Sequence, residues 1–149
     1  MVYGQKPSEE HFRKLERMYL KIAFNKYFQP TIHIREGEAD IVFPVKPEFF
    51  HAAHAVHGAV YFKALDDATF FAANSLVEDV FVLTVSFTIY FTRPVSQGEM
   101  RARGKVTYAS KRLFIAEGEI VDSNGNTISR GSGTFMPSKQ PLSPEIGYE

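Results

Sequence analysis

The stretch HAAHAVHGAVYFKALDD, from His51 to Asp67, holds three histidines at three-residue spacing, a glycine and two adjacent carboxylates within one otherwise apolar run. A charged side chain in such a run is costly unless it is paired, exposed or used. Lys63 precedes Asp67 by four residues, so the two can pair on one helix face, although the basic residue comes first, which is the weaker orientation. Asp66 has no basic partner of its own, and Phe62 and Phe70 lie four residues to either side. A carboxylate against phenyl rings should have a raised pKa, the setting of a general base or a nucleophile. An Asp that reaches solvent at a helix edge, or bonds a neighbouring strand, is the plain alternative.

The histidines with a carboxylate could supply a metal-ligand set, but their pattern matches none of the helix-based zinc spacings, and no metal is expected. One or two of them can instead hydrogen-bond loop backbone, and His57 at a helix entrance is well placed to do so. Gly58 opens that helix, where free N–H groups and the positive end of the dipole could polarise a carbonyl or hold an oxyanion. Equally, the glycine could simply let the loop turn into the helix. Gly58 and Asp66 are eight residues apart, about 12 Å along a helix, too far to act on one carbonyl. If both are catalytic they come from different subunits, which predicts a two-fold dimer with two equivalent sites across its interface.

The elements that must position these groups are legible in outline. Ser8 can cap a helix over SEEHFRKLERMYLKIAFNKYF, with Phe12, Leu15, Met18, Tyr19 and Ile22 on one face and Pro30 ending it, so that residues 1–30 form an N-terminal helical segment. TIHIREGEADIVFPV reads as two strands joined near Glu36 to Glu38, and KPEFFHAAHAVHG as a loop. From Gly58 to about Leu76 the chain is helical and apolar almost all round, as a surrounded helix should be. VFVLTVSFTIYF alternates, which predicts a half-buried strand with Phe81, Leu83, Val85, Phe87, Ile89 and Phe91 on one face and Thr84, Ser86 and Thr88 on the other. EMRARGKVTYA, RLFIAEGEIVD and TISRGSGTFM follow as an antiparallel meander with a tight turn at SNGN, and residues 137–149, rich in proline and serine, read as a flexible tail. The order predicts an α+β class, a curved antiparallel sheet wrapped around one central helix, in a single domain over residues 1–149.

Composition narrows the function classes. Seventeen basic residues balance seventeen acidic ones, so the overall field favours neither nucleic acid nor an anionic membrane as partner. Without cysteine there is no disulfide and no thiolate chemistry, and the polar start MVYGQKPSEEHFRK lacks the apolar core of a signal peptide, so a cytoplasmic protein is expected. The longest uncharged stretch, Val80 to Thr92, is too short for a membrane helix. No glycine-rich phosphate loop, dinucleotide fingerprint or nucleophile elbow is present, and no cofactor is expected.

HGAVYFKALDD, with His-Gly followed by a carboxylate nine positions after the histidine, resembles the His-Gly-Gly motif of the hotdog-fold acyl-CoA thioesterases, in particular the phenylacetate-pathway type. LTVSFTIYFTRPVSQGEMRARGKV resembles that family's strand, Arg-Pro turn and return strand, and the likeness extends over most of the chain. The resemblance implies a hotdog fold with an extra N-terminal helix, and a homodimer with its sites at the subunit interface, with dimers able to pair further into tetramers. It implies Asp66 as general base or nucleophile, Gly58 as the amide that polarises the thioester carbonyl across that interface, and Thr84 as a group positioning water or the carboxylate. Ala59 stands where the motif has its second glycine, beside His57, and His51 stands where the family usually has Asn or Gln to orient the thioester or water. The acyl-CoA phosphates would need cations, for which Arg93, Lys111 and Arg112 near strand ends are candidates. Two other readings keep the fold: an acyl-CoA-binding protein or regulator without catalysis, and a dehydratase or hydratase of 3-hydroxyacyl thioesters.

Overall fold

The computed structural model describes residues 6–149; the first five residues of the expected N-terminal segment lie outside them. Its frame is a six-stranded antiparallel sheet with strand order β1-β2-β4-β5-β6-β3, formed by β1 (Thr31–Arg35), β2 (Glu38–Pro44), β3 (Val80–Phe91), β4 (Glu99–Ala109), β5 (Phe114–Val121) and β6 (Thr127–Pro141). Helix α3 (Gly58–Asn74) packs against all six strands. Leu65 on the helix and Phe43, Met100, Phe114, Ile120 and Phe135 on the strands are fully buried between them. The sheet comes close to the helix at Gly104 of β4, where a Cβ would lie 2.5 Å from the Ala68 carbonyl of α3. Among the described residues no helix is long and apolar enough to cross a membrane.

The N-terminal segment departs from a single helix. Ser8 caps α1 (Glu9–Lys21) by accepting the His11 N–H, but the helix stops at Ile22, whose backbone is extended, before a short α2 (Ala23–Lys26). The Asn25 side-chain amide donates to the Tyr19 carbonyl at 2.9 Å, the acceptor a continuing helix would have given to Ala23. Phe12, Leu15, Met18 and Tyr19 are buried as the face required, whereas Ile22 is turned outward.

β3 departs from simple alternation. Its pairing with β6 slips between Thr84 and Ser86, leaving Val85 as an extra, exposed residue. Such a bulge reverses which residues face the core. Before it Val82 and Thr84 face α3, Val82 fully buried; after it Phe87 and Phe91 do, pairing with Phe62 and Tyr61. Leu83 and Val85, expected inside, are therefore exposed.

The expected flexible tail is also corrected. β6 runs to Pro141 against β3, and Pro137 and Pro141 lie beyond the last residue paired with β5, Phe135, so β6 has one neighbour there and the missing N–H groups break no inner ladder. The chain then folds back, and Tyr148 bonds His11 of α1 at 2.7 Å.

Candidate active site

Helix α3 places Asp66 and Asp67 on adjacent faces with different surroundings. Asp67 accepts from Lys63 at 2.6 Å and from the Tyr19 hydroxyl at 2.8 Å, both onto Oδ2. Lys63 also donates to Asn25 and lies over the rings of Tyr19, Phe24 and Phe28. The sequence spacing gives the pair, but its burial comes from α1 and α2: only about 14% of either side chain is exposed. Burial raises the Asp67 pKa, against the opposing pull of Lys63.

Asp66 has one specific partner. Thr84 of β3 donates its hydroxyl to Oδ1 at 2.8 Å. This is possible because the residues before the bulge turn toward the helix, so Thr84 is not an outward-facing strand threonine. Burial pushes the Asp66 carboxyl up, and the Thr84 bond and the Lys63 charge pull it partly back. Both aspartates line a cavity of about 500 Å³ with Tyr19, Phe70, Phe81 and Leu83. Met18, Ile22 and Asn25 from the N-terminal segment, and Gln140 and Ile146 from the C-terminal one, also line it, beside Phe71 and Thr84. Sequence reasoning missed the wall residues from these two segments. Tyr19 and Met18 share the periodicity of the core residues Phe12 and Leu15, and no local signal separates a cavity wall from a core.

Removing the Thr84 hydroxyl takes away a bond to the charged form of Asp66, so Thr84→Val raises the Asp66 pKa further. If activity needs the carboxylate, the acid limb of the pH–rate profile moves to higher pH in Thr84→Val, with a loss of roughly three- to tenfold near neutrality from one hydrogen bond. Comparing the profiles of the two proteins checks both direction and size.

A second cleft, of about 440 Å³, lies at the N-terminal end of α3 and gathers His51, Gly58 and Arg93 with Tyr61 and Phe91. As the first helical residue Gly58 has no intrahelical acceptor for its N–H. A Cβ there would come within 3.0 Å of the Phe91 ring, so a glycine keeps this entrance open. His57 caps α3 by accepting the Ala59 N–H on Nδ1 at 2.9 Å. His51 accepts the Ala53 N–H on Nδ1 at 3.1 Å. In the neutral state each ring therefore carries its proton on Nε2, a donor, and the two rings are 6.4 Å apart. His54 takes a left-handed backbone conformation, φ 61°, in the same loop, a position that His tolerates better than most residues. Among the described residues no cluster of three or more His, Asp or Glu could hold a metal ion. Arg93 is exposed at the second cleft, while Lys111 and Arg112 are exposed in the β4–β5 turn and line neither cleft.

One chain thus brings Asp66 and Thr84 together, and separately His51, Gly58 and Arg93, in two clefts at different parts of α3, with His57 next to the second as the cap of the helix.

The sequence model of the Thioesterase superfamily matches residues 53–129. A protein of Thermoplasma volcanium, provisionally named an esterase, is 26% identical over 109 residues, 73% of this chain and 81% of the relative. Another of Saccharolobus solfataricus, named in the same way, is 24% identical over 69% of each chain. Among solved structures, the E. coli PaaI protein from the phenylacetic acid degradation operon superposes with a TM-score of 0.83 at 22% identity, covering 91% of this chain and 99% of that one. A mutant of the Thermus thermophilus phenylacetic acid degradation protein PaaI gives 0.71 at 21% identity, covering 78% and 100%.

Proposed function

The chain belongs to the Thioesterase superfamily and has its hotdog fold, and from that premise we propose that it hydrolyses an acyl-CoA thioester to free acid and CoA. The observation that carries the proposal is the Asp66 carboxylate, held by Thr84 and raised in pKa by burial, in the wall of a largely apolar cavity. The acyl group occupies that cavity and its thioester lies at Asp66. Asp66 takes a proton from water as the water oxygen adds to the carbonyl carbon. The Gly58 N–H of the partner subunit receives the oxyanion, and the Nε2–H donors of His51 and His57 beside it orient the thioester. Collapse breaks the C–S bond, and the proton held by Asp66 goes to the departing thiolate. In the direct variant Asp66 adds to the carbonyl itself, the C–S bond breaks to release CoA thiolate, and water cleaves the resulting anhydride to free acid and the Asp66 carboxylate. Arg93 at the second cleft is the best placed of the three candidate cations for a CoA phosphate.

The dimer follows from β3. It is one of the sheet's two edge strands, twelve residues long against five for β1 at the other edge, and presents Leu83, Val85, Tyr90 and Phe91 to solvent. A long apolar edge of this kind is a template for a second strand. Thr84 marks the Asp66 half of the site on this strand, and Phe91 marks the Gly58 half. Antiparallel pairing of two copies about Thr88, with Val85 left unpaired as it is against β6, sets position 84 of one against position 91 of the other, joining unlike halves. Dimers can pair further through other faces.

Release of free thiol from acyl-CoA is the direct test. Tight binding with no turnover would overturn the hydrolase in favour of a binding protein, and water loss with the thioester intact would favour a dehydratase. Mixing tests the shared site. Asp66→Asn and Gly58→Val, each inactive alone, should regain about one quarter of wild-type activity after subunit exchange, since half the dimers are mixed and each of those holds one intact site of two. No recovery, with exchange demonstrated by mass spectrometry, would place the whole site within one chain.

A further inference from the structure

Phe91, the last residue of β3, has no task in the hydrolytic mechanism, yet 57% of this large apolar residue is exposed beside the second cleft. The ring is not loose. It lies over Gly58, where a Cβ would come within 3.0 Å of it, and meets the Tyr61 ring at 5.7 Å between centroids. Tyr61 in turn donates its hydroxyl to the Arg93 carbonyl at 2.8 Å, which fixes the turn just beyond Phe91. Gly58 and Tyr61 thus prop the ring from the helix side and leave its other side uncovered. Thr84 and Phe91, seven residues apart, would face opposite sides of an unbroken strand, but the bulge at Val85 turns both toward α3. In the two-fold pairing about Thr88 they stand opposite each other across the interface, on one face, with Cβ atoms roughly 4.5–5.5 Å apart. Since Thr84 bonds Asp66, the uncovered side of the ring is turned to the partner's Asp66.

We propose that Phe91 serves the site of the other subunit: its ring forms the wall between the Gly58 N–H of its own chain and the partner's Asp66, and the thioester is held against it. This inference rests on the hydrolysis and the two-fold pairing proposed above. An aromatic wall at this place has two effects. It keeps bulk water from the Gly58 N–H, which strengthens the bond to the oxyanion, and it restricts the carbonyl carbon to positions that the attacking water can reach. The ring needs no charge and no hydrogen bond for either.

The mixed dimer of Asp66→Asn and Gly58→Val chains isolates one site, built from Gly58 of the first chain and Asp66 of the second. Phe91→Ala on the Asp66→Asn chain removes the ring from that site, whereas on the Gly58→Val chain it falls in the dead one. The two mixtures should therefore differ about 10-fold in recovered kcat, the first being the slower, a loss well within what misplacement of the reacting groups brings. Equal activities would mean a ring that only packs the interface, and the reverse order a ring that serves its own chain's Asp66; either overturns the inference while the hydrolase stands. No recovery in the parent mixture overturns it together with the shared site. Where Phe91→Ala chains fail to pair, Phe91→Leu, which keeps apolar bulk on the edge, replaces it in both mixtures and is read in the same way. If the wild type releases no thiol the hydrolase fails, and the facing of the two positions is decided without turnover. The chain has no cysteine, and positions 84 and 91 of one strand are about 23 Å apart, beyond the reach of a disulfide. Oxidised Thr84→Cys/Phe91→Cys should run as a covalent dimer, and neither single variant should; a monomer from the double variant overturns the placement.

Discussion

Asp66→Asn is expected to lower thiol release from acyl-CoA by roughly 10²- to 10⁴-fold, the range of a positioned general base. The change is close to isosteric, and the Asn side-chain oxygen can still accept the Thr84 hydroxyl now bonded at 2.8 Å. The fold should not suffer. Burial disfavours the charged carboxyl, so its pKa is raised, and a neutral amide removes a desolvation cost. Thermal unfolding at or slightly above the wild-type midpoint, together with lost activity, separates a chemical role from a structural one. The pH dependence has a definite sign. The reaction needs the unprotonated carboxylate, so wild-type activity falls as pH drops through a pKa above the ordinary Asp value. The acid limb thus lies higher than for an exposed Asp, and the residual activity of Asp66→Asn should lack it. Undiminished thiol release in a folded Asp66→Asn dimer would refute the mechanism.

The second large effect is on stability and arises at a residue outside both clefts. Gly104→Ala should cost about 3 kcal/mol, the upper part of the usual range for overpacking a core. The added Cβ would meet the Ala68 carbonyl carbon and oxygen at 2.5 Å and the Thr69 nitrogen at 2.7 Å. These are backbone atoms in the middle of α3, so no side-chain rotation relieves the clash and helix or strand must shift. For a chain of this length the midpoint should fall by roughly 6–12 °C, checked by calorimetry. Activity should fall as well, because α3 carries Gly58 at one end and Asp66 near its middle, and 1 Å of misplacement is costly in a reacting geometry. An unchanged melting temperature would mean that helix and sheet are packed more loosely than this contact requires.

Much of this arrangement was legible locally. The i, i+4 spacing of Lys63 and Asp67, the lone position of Asp66 between Phe62 and Phe70, and the helix start at Gly58 are short-range patterns, and each predicts a feature of α3. What escaped depends on residues far apart. The burial of the Lys63–Asp67 pair needs Tyr19 and Asn25, 48 and 38 residues away from their partners in it. The inward turn of Thr84 needs a bulge, and strict alternation carries no mark of a missing register step. Helix α1 ends early because the Asn25 side chain takes the Tyr19 carbonyl, a choice that periodicity over Phe12 to Ile22 does not contain. Prolines after Met136 suggested a loose tail by composition, but they occupy a part of β6 with a neighbour on one side only, where they do no harm.

The edge strand with its bulge gives the proposed dimer a narrow tolerance. Two-fold pairing of β3 about Thr88 requires the partner positions to add to 176 between the two bulges, and to 175 where the bulge brings 84 against 91. Changing these sums by one turns each chain's side chains to the wrong face of its partner. Changing them by two slides the copies by about 6.6 Å, more than any reacting geometry survives. Catalysis thus becomes a readout of strand alignment: a slipped dimer can be as large, as folded and as soluble as the correct one and still be inert. Losing the bulge while keeping Val85 would be the sharpest disturbance, since plain alternation running back from Phe87 turns Thr84 to the outer face, away from Asp66.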